Sequence, residues 1–230
     1  MSSSDFLRKN LNQHAIKNSL SHKMDKDIDI AVAEVLIMLA EKYPQLKFRH
    51  QKTMMLTEII QGLNKEFPEY EPILKNYLDT SSMKPDGGFV FAKDKSGNEK
   101  IVLVAEVKRQ GTNDKRAAEG LPKQAQGNAI ERLGKNLIGI RAIFKKDTVL
   151  PFVCFGQGLD FDEGSSILDR VVTMNEFFPL NTTYVRKDYE PFEPVSMYFR
   201  YKDWSVEEMV RIMFDIAVQA INEIFEPSAS

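Results

Sequence analysis

Two apolar runs separated by a short polar turn constrain this chain more than any other feature. Phe89-Val90-Phe91 and Ile101-Val102-Leu103-Val104 are aromatic, aliphatic and β-branched, the composition of strands. Residues 93–99 between them are polar and carry Ser96-Gly97, a turn signal. The segment therefore reads as a β-hairpin. A turn centred near Ser96 places Asp86 opposite Glu106, with Cβ atoms roughly 5 Å apart. Glu106 and Lys108 are two apart on one strand and project from the same face. Register matters, because a slip of one residue spoils the face-to-face match.

Two carboxylates this close repel, and one tends to hold a proton at raised pKa. A bound Mg²⁺ removes the conflict, since hard oxygen ligands suit it. It polarises a phosphate oxygen and acidifies a bound water. Asp86 and Glu106 are thus candidate metal ligands, and Lys108 is placed to orient or activate a water. That set suits phosphodiester hydrolysis. Gly87 and Gly88 are expected to leave room for a phosphate backbone. A structural reading stands beside this one: Pro-Asp-Gly-Gly is an ordinary turn sequence. Glu-x-Lys is an ordinary strand end in a chain that is 28% charged.

The chain has 230 residues and is 43% hydrophobic, which suits a single domain spanning 1–230. Its net charge of −2 advertises no global basic field. The single cysteine, Cys154, excludes an internal disulfide and suits a reducing cytoplasm. It lies in Phe152-Val153-Cys154-Phe155 and reads as a buried strand thiol rather than a nucleophile. The polar N-terminus lacks an apolar core of signal-peptide length. The apolar stretch 31–40 is broken by Glu34 and is too short to span a bilayer. His14, His22 and His50 lie far from Cys154 in sequence, so no zinc spacing exists.

Residues 1–22 are rich in Ser, Asn and Lys and read as a flexible arm. Apolar positions Ile28, Ala31, Val32, Val35, Leu36 and Leu39 follow helical spacing across 25–43, and Pro44 ends that helix. Further helices are expected over 53–67, with Pro68 as the stop, and over 128–145. Residues 151–155 read as a buried strand. Weaker strand candidates cover 170–174, 182–185 and 195–201. Ser205-Val206-Glu207-Glu208 is a capping box opening a C-terminal helix through 225. Helices flanking several strands define an α/β class.

Charge is locally uneven. Residues 109–127 hold four basic and two acidic side chains, and 128–147 hold five basic and two acidic ones. A basic stretch after the acidic hairpin is a footprint of a phosphate backbone, although a solvated helix face has the same composition. Gly127-Asn128-Ala129-Ile130-Glu131-Arg132 is more specific. A helix starting here points its free N–H groups toward an anion. Asn128 and Arg132 are four apart and share a face. Asn bonds adenine bidentately, and Arg reaches purine edges in the major groove. Asn128 with Glu131 is also a helix-capping box, and on local grounds the cap is favoured.

These segments together resemble the EcoRI family of type II restriction endonucleases, within the PD-(D/E)xK nucleases. The resemblance is carried by residues 81–88, 102–111 and 127–132, quoted in part above. Tyr43-Pro44-Gln45-Leu46-Lys47-Phe48-Arg49 and Thr57-Glu58-Ile59 add to it in the same order. It implies a restriction-endonuclease-like core: a mixed central sheet with helices on both sides. It also implies a homodimer that wraps double-stranded DNA and Mg²⁺-dependent cleavage at a palindrome, with a cognate DNA methyltransferase in the same system. By this resemblance Asp86 and Glu106 bind metal, Lys108 sits near the attacking water, and Lys84 lies near the scissile phosphate. Asn128, Ala129 and Arg132 read the adenines of an AATT core, and Gln110 approaches the neighbouring thymines. Glu131 positions the recognition arginines and couples the subunits. Residues 111–126 form a shortened DNA-embracing loop, and Arg170 matches a recognition-region arginine.

The departures fall at the outer base pair. Gln124 and Gln126 stand where the family's type member has methionine and alanine. A CAATTG-cutting member has arginine at the position of Gln126. Thr173 replaces another recognition-region arginine. Glutamine donates or accepts, so it accommodates either purine, and GAATTC or RAATTY is the expected site. A repair or structure-specific nuclease of the same fold shares the acidic site without needing the helix entry at 128–132. A non-catalytic DNA-binding protein gains nothing from two clustered carboxylates. Glu58 is open between assisting the metal site and capping its own helix.

Overall fold

The computed structural model describes residues 3–110, 119–121, 128–162 and 164–226, and of 3–22 and 128–129 the backbone alone. In chain order the elements are helix α1 (Ser3–Lys42), strands β1 (Lys47–Gln51) and β2 (Met54–Met55), and helix α2 (Leu56–Glu66). Strands β3 (Ser82–Met83), β4 (Gly88–Lys93) and β5 (Glu99–Arg109) follow, then helix α3 (Asn128–Ile143) and strand β6 (Phe152–Gln157). Helix α4 (Ser166–Met174), strand β7 (Ser196–Arg200) and helix α5 (Val206–Phe225) complete the chain.

Five strands form one mixed sheet in the order β1-β4-β5-β6-β7. β1, β4 and β5 pair antiparallel, whereas β5, β6 and β7 run parallel. β2 and β3 form a separate two-stranded ribbon. The alternation along β5 explains why helices cover both faces. Leu103, Ala105 and Val107 belong to the layer packed by α1 and α5, through Ile28, Val35, Leu39, Met213 and Ile216. Val104 belongs to the opposite layer, packed by α3 and α4 through Leu133, Leu137, Ile140, Ile167 and Val171. Each such aliphatic side chain contributes about 1.5–3 kcal/mol when fully buried. A strand covered on both faces reads as a nearly continuous apolar run. Between Ile101 and Lys108, Glu106 and Lys108 are the charged exceptions in β5, on the side of Val104. The α/β class and the sheet flanked on both sides agree with the sequence reading. Among the described residues, no helix is long and apolar enough to cross a membrane.

Several elements differ from the expectation. Helix α1 starts at Ser3, upstream of the 25–43 segment that apolar spacing marks and across residues that read as a flexible arm. No Gly or Pro interrupts 3–22, so a helix held by Met24, Ile28 and Val32 propagates backward at little cost per residue. Residues 170–174 are helical, within α4, and not a strand. Their β-branched content suggested a strand, but Ile167 and Val171 are four apart and both buried, and the Ser165 hydroxyl caps the helix at Ile167 N–H. Residues 182–185 form no named strand; beside them stands one isolated bridge, Val149 with Arg186. The Ser205 capping box forms as expected, with Glu208 N–H 3.2 Å from Ser205 Oγ and Ser205 N–H 3.0 Å from Glu208 Oε2.

The hairpin forms with a shifted register. Lys93 pairs with Glu99 and Phe91 with Ile101, but beyond an irregularity at Val90/Phe91, Val90 pairs with Leu103 and Gly88 with Ala105. One extra residue has entered β5, so Asp86 is not directly opposite Glu106. The glycines also differ from their expected role. A Cβ on Gly87 would stand 2.7 Å from Ala105 Cβ and 3.0 Å from Ile28 Cγ1. Gly88 has φ +74°, and its Cβ would stand 2.7 Å from the Gln51 carbonyl oxygen. The pair lets the turn pack tightly onto β5, β1 and α1; it does not open a gap for a phosphate backbone. Gly88→Ala is expected to lower stability by about 1–3 kcal/mol through the positive φ alone. Urea unfolding monitored by circular dichroism measures this, and an unchanged midpoint would contradict it.

Candidate active site

The acid–acid–lysine cluster assembles despite the register shift, because Asp86 lies in the turn before β4 and can reach across. Its N–H donates to Glu106 Oε2 at 2.9 Å, and Val107 N–H approaches Asp86 Oδ2 at 3.4 Å. Lys108 Nζ then joins the two acids. It stands 2.9 Å from Asp86 Oδ2, forms an ion pair with Glu106 Oε1, and donates to the Val107 carbonyl at 2.9 Å. Three oxygens from Asp86, Glu106 and Val107 thus converge on one ammonium. Side-chain exposure grades from Glu106 (1%) through Lys108 (14%) to Asp86 (33%), so the cluster opens outward at Asp86. Asp86, Val107, Lys108 and Arg109 line a cavity of about 190 Å³ with Met24 and Asp25 of α1.

Electrostatics follow from burial. Burial pushes the Glu106 carboxyl up; the Lys108 ammonium pulls it down and the Asp86 carboxylate pushes it up again, leaving it raised. Burial alone would lower the Lys108 pKa, but the Glu106 and Asp86 carboxylates outweigh it and the ammonium is held above its ordinary value. Cys154 pairs with Glu106 across β5 and β6 and is fully buried. Burial pushes its thiol well up, so it stays protonated, in keeping with a structural thiol.

The donor set fits a small, hard divalent cation. Carboxylate and carbonyl oxygens are the ligands such ions take, and Mg²⁺ keeps several waters besides one or two carboxylates. Among the described residues no group of three or more His, Cys, Asp and Glu side chains could hold a metal. A metal here would therefore rest on Asp86 and Glu106, with the Val107 carbonyl beside them, and the Lys108 ammonium would have to yield its place. The soft thiol of Cys154 has no part in such a set.

Side chains that the sequence reading passed over hold the cluster in place. His50 Nε2 lies 2.8 Å from the Gly87 carbonyl, and Lys52 Nζ donates to the Asp86 carbonyl at 2.7 Å while pairing with Asp29. Both follow from the β1–β4 pairing, which no local spacing reveals. Asn136 of α3 donates from Nδ2 to Glu106 Oε1 at 3.2 Å. It stands four residues after Arg132 and eight after Asn128, a spacing that gives a helix face but no sign of Glu106.

The remaining named residues are less concentrated. Lys84 is exposed in the turn after β3. Gln110, at the end of β5, is only 7% exposed and its N–H donates to the Gln157 carbonyl at 3.1 Å. Asn128 and Ala129 open α3, and Glu131 and Arg132 are exposed on its first turns. Arg170 is exposed on α4, away from any strand. Gln124, Gln126 and Gly127, and residues 111–118 and 122–126 of the expected loop, lie outside the described residues. Glu58 accepts from Met55 N–H at 3.1 Å and Gln51 Nε2 at 3.3 Å, so its carboxylate caps α2.

A mixed sheet flanked by helices on both sides, with two carboxylates and a lysine at the end of its central hairpin, has the architecture of a restriction-endonuclease-like core. Comparison with known proteins makes this specific. Residues 12–166 match the family model of restriction endonuclease EcoRI. The type II restriction enzyme EcoRI of Escherichia coli is 30% identical, over 88% of this chain and 88% of its own. The type II restriction enzyme RsrI of Cereibacter sphaeroides is 27% identical, over 91% of this chain and 88% of its own. The chain belongs to the EcoRI restriction endonuclease family and is a type II site-specific deoxyribonuclease.

Glu106 also sets a pH dependence of stability. With its folded pKa raised, the folded chain holds the proton more tightly than the unfolded one. That stabilisation is complete below the unfolded carboxyl range, about 4.3, and is lost as pH rises through the folded value. Glu106→Gln does not titrate. Its Tm relative to the parent is expected to improve from pH 4 to pH 7. Differential scanning calorimetry across pH reads this, and a difference independent of pH would contradict it.

Proposed function

We propose that this restriction endonuclease hydrolyses double-stranded DNA at a palindrome with an AATT core, GAATTC or RAATTY, using Mg²⁺ held by Asp86 and Glu106. The observation that supports the chemistry is the convergence of Asp86, Glu106 and Val107 oxygens on the Lys108 ammonium. When bound, Mg²⁺ supplies Lewis-acid stabilisation of the phosphate and lowers the pKa of a ligated water.

The chain's own residues do the rest. Asp86 and Glu106 would hold the metal from the turn and from the central strand, and His50 and Lys52 keep the Asp86–Gly87 carbonyls from drifting. Lys108, whose ammonium is held above its ordinary pKa, keeps its proton at neutral pH. With its Nζ beside both acids, Lys108 is placed to orient the attacking water and steady the phosphate. Water oxygen bonds to phosphorus, a phosphodiester P–O bond breaks, and a phosphomonoester and a hydroxyl remain. Lys84, exposed beside the turn, reaches the scissile phosphate.

Sequence reading belongs to the entry of α3. Its free N–H groups favour a phosphate. Asn128, Ala129 and Arg132 read adenines, Glu131 positions the arginines, and Gln110 approaches the thymines; Arg170 supports the outer contacts. Gln124 and Gln126 set the tolerance at the outer pair, and residues 111–126 embrace the duplex. A palindrome calls for two equivalent reading heads, so the active species is a homodimer, with a cognate methyltransferase protecting host DNA. The whole of 1–230 acts as one nuclease domain in the bacterial cytoplasm, where Cys154 stays reduced.

Digestion of plasmids with Mg²⁺, followed by sequencing of the ends, is expected to return AATT-centred cuts. Substrates differing only at the outer pair separate GAATTC from RAATTY, and no cut at any AATT site sinks the reading. Glu106→Ala is expected to lower the rate by about 10²-fold or more, and an unchanged rate removes Glu106 from the site. Asn128→Ala is expected to weaken AATT sites selectively, by about 1–3 kcal/mol of discrimination. A small loss equal across all sequences reduces Asn128 to a helix cap.

A further inference from the structure

We propose that Asn136 is a positioning residue that couples the DNA-reading face of α3 to the Glu106 carboxylate, an inference that rests on the restriction-nuclease reading above. The Glu106 carboxylate is held from three directions. Oε2 accepts the Asp86 N–H from the turn, and Oε1 pairs with Lys108 of its own strand. The third hold is the Asn136 amide, 3.2 Å from Oε1, and it comes from a different element. That element is the helix whose first turns carry the proposed base contacts.

The spacing makes the connection direct. Asn128, Arg132 and Asn136 recur every four residues, which places them along one side of α3. From Asn128 to Asn136 is a rise of about 12 Å at 1.5 Å per residue. The adjoining face of the helix is locked into the core through Leu133, Leu137 and Ile140, each no more than 1% exposed. Because the helix is held rigidly on the core, a duplex seated on its N-terminal turns is fixed relative to the amide that holds Oε1. The Asn136 side chain is uncharged and leaves the site's charge unchanged, so its part is orientation. A metal ligand held in one rotamer binds its ion better, and by linkage the bound ion then favours the seated helix.

The test measures that linkage with a readout other than cleavage. The affinity of the full chain for an AATT-centred duplex is measured by fluorescence anisotropy with and without Ca²⁺. Ca²⁺ is a larger oxygen-seeking ion with looser geometry, and the duplex is checked for integrity on a gel afterwards. The parent is expected to bind more tightly with Ca²⁺ by about ten-fold or more. Asn136→Ala is expected to bring that factor close to one while leaving metal-free affinity within about three-fold. Asn136→Gln, which keeps the amide, is expected to retain part of the factor. With Mg²⁺, Asn136→Ala is expected to lower kcat by about ten-fold with little change in KM.

Other results overturn the proposal. The Ca²⁺ factor can stay the same in Asn136→Ala, or metal-free DNA affinity can fall as far as kcat. Either outcome reduces Asn136 to a support for the helix. The two readings also fail separately. A parent chain that neither binds nor cuts any AATT-centred duplex overturns the function and this inference together. A parent that does both, beside an Asn136→Ala variant with an unaltered Ca²⁺ factor, overturns this inference alone.

Discussion

The Glu106 carboxylate, nearly sealed inside the sheet, is the constraint around which the site end of the molecule is organised. An isolated buried carboxylate is expensive, and a well-placed cation must offset its lost hydration. Lys108 provides that cation from two residues along the same strand, and Asp86 supplies a second acid on the open side. One ammonium thus serves two carboxylates, with Asp86 left toward solvent.

That cluster depends on the layers behind it. Leu103, Ala105 and Val107 bind β5 to α1 and α5, while Val104 binds it to α3 and α4. With both faces of the strand committed, Glu106 cannot rotate away from the α3 side. Gly87 and Gly88 allow the turn to lie against β5 and β1 closely enough for the Asp86 N–H to reach Glu106. Tight backbone packing, more than open space, is what the glycine pair contributes.

The candidate site was legible to an instructive degree. Asp86, Glu106 and Lys108 were identifiable because a two-residue spacing on a strand is a local property, and a hairpin turn constrains its own partner. The face-to-face pairing of Asp86 and Glu106 was not correct in detail. An extra residue in β5 shifts the register, and no residue in Ile101-Val102-Leu103 announces it. The cluster survives because Asp86 lies off the ladder, where a turn can absorb the shift. His50 and Lys52 were invisible, since β1 neighbours β4 through sheet order alone. Helix α4 was mistaken for a strand where β-branched residues outweighed a helical period only two apolar residues long.

The sequence by itself determined the α/β class, the grouping of Asp86, Glu106 and Lys108, the capped C-terminal helix and the family, because these rest on local spacing, periodicity and ordered motifs. Tertiary structure alone decided how deeply Glu106 is buried and which cation neutralises it. It decided that β1 steadies the Asp86 turn and that α3 touches the carboxylate through Asn136. Those facts depend on which elements become neighbours across a sheet or between layers. Contacts between residues far apart in the chain leave no periodic trace in either partner's sequence.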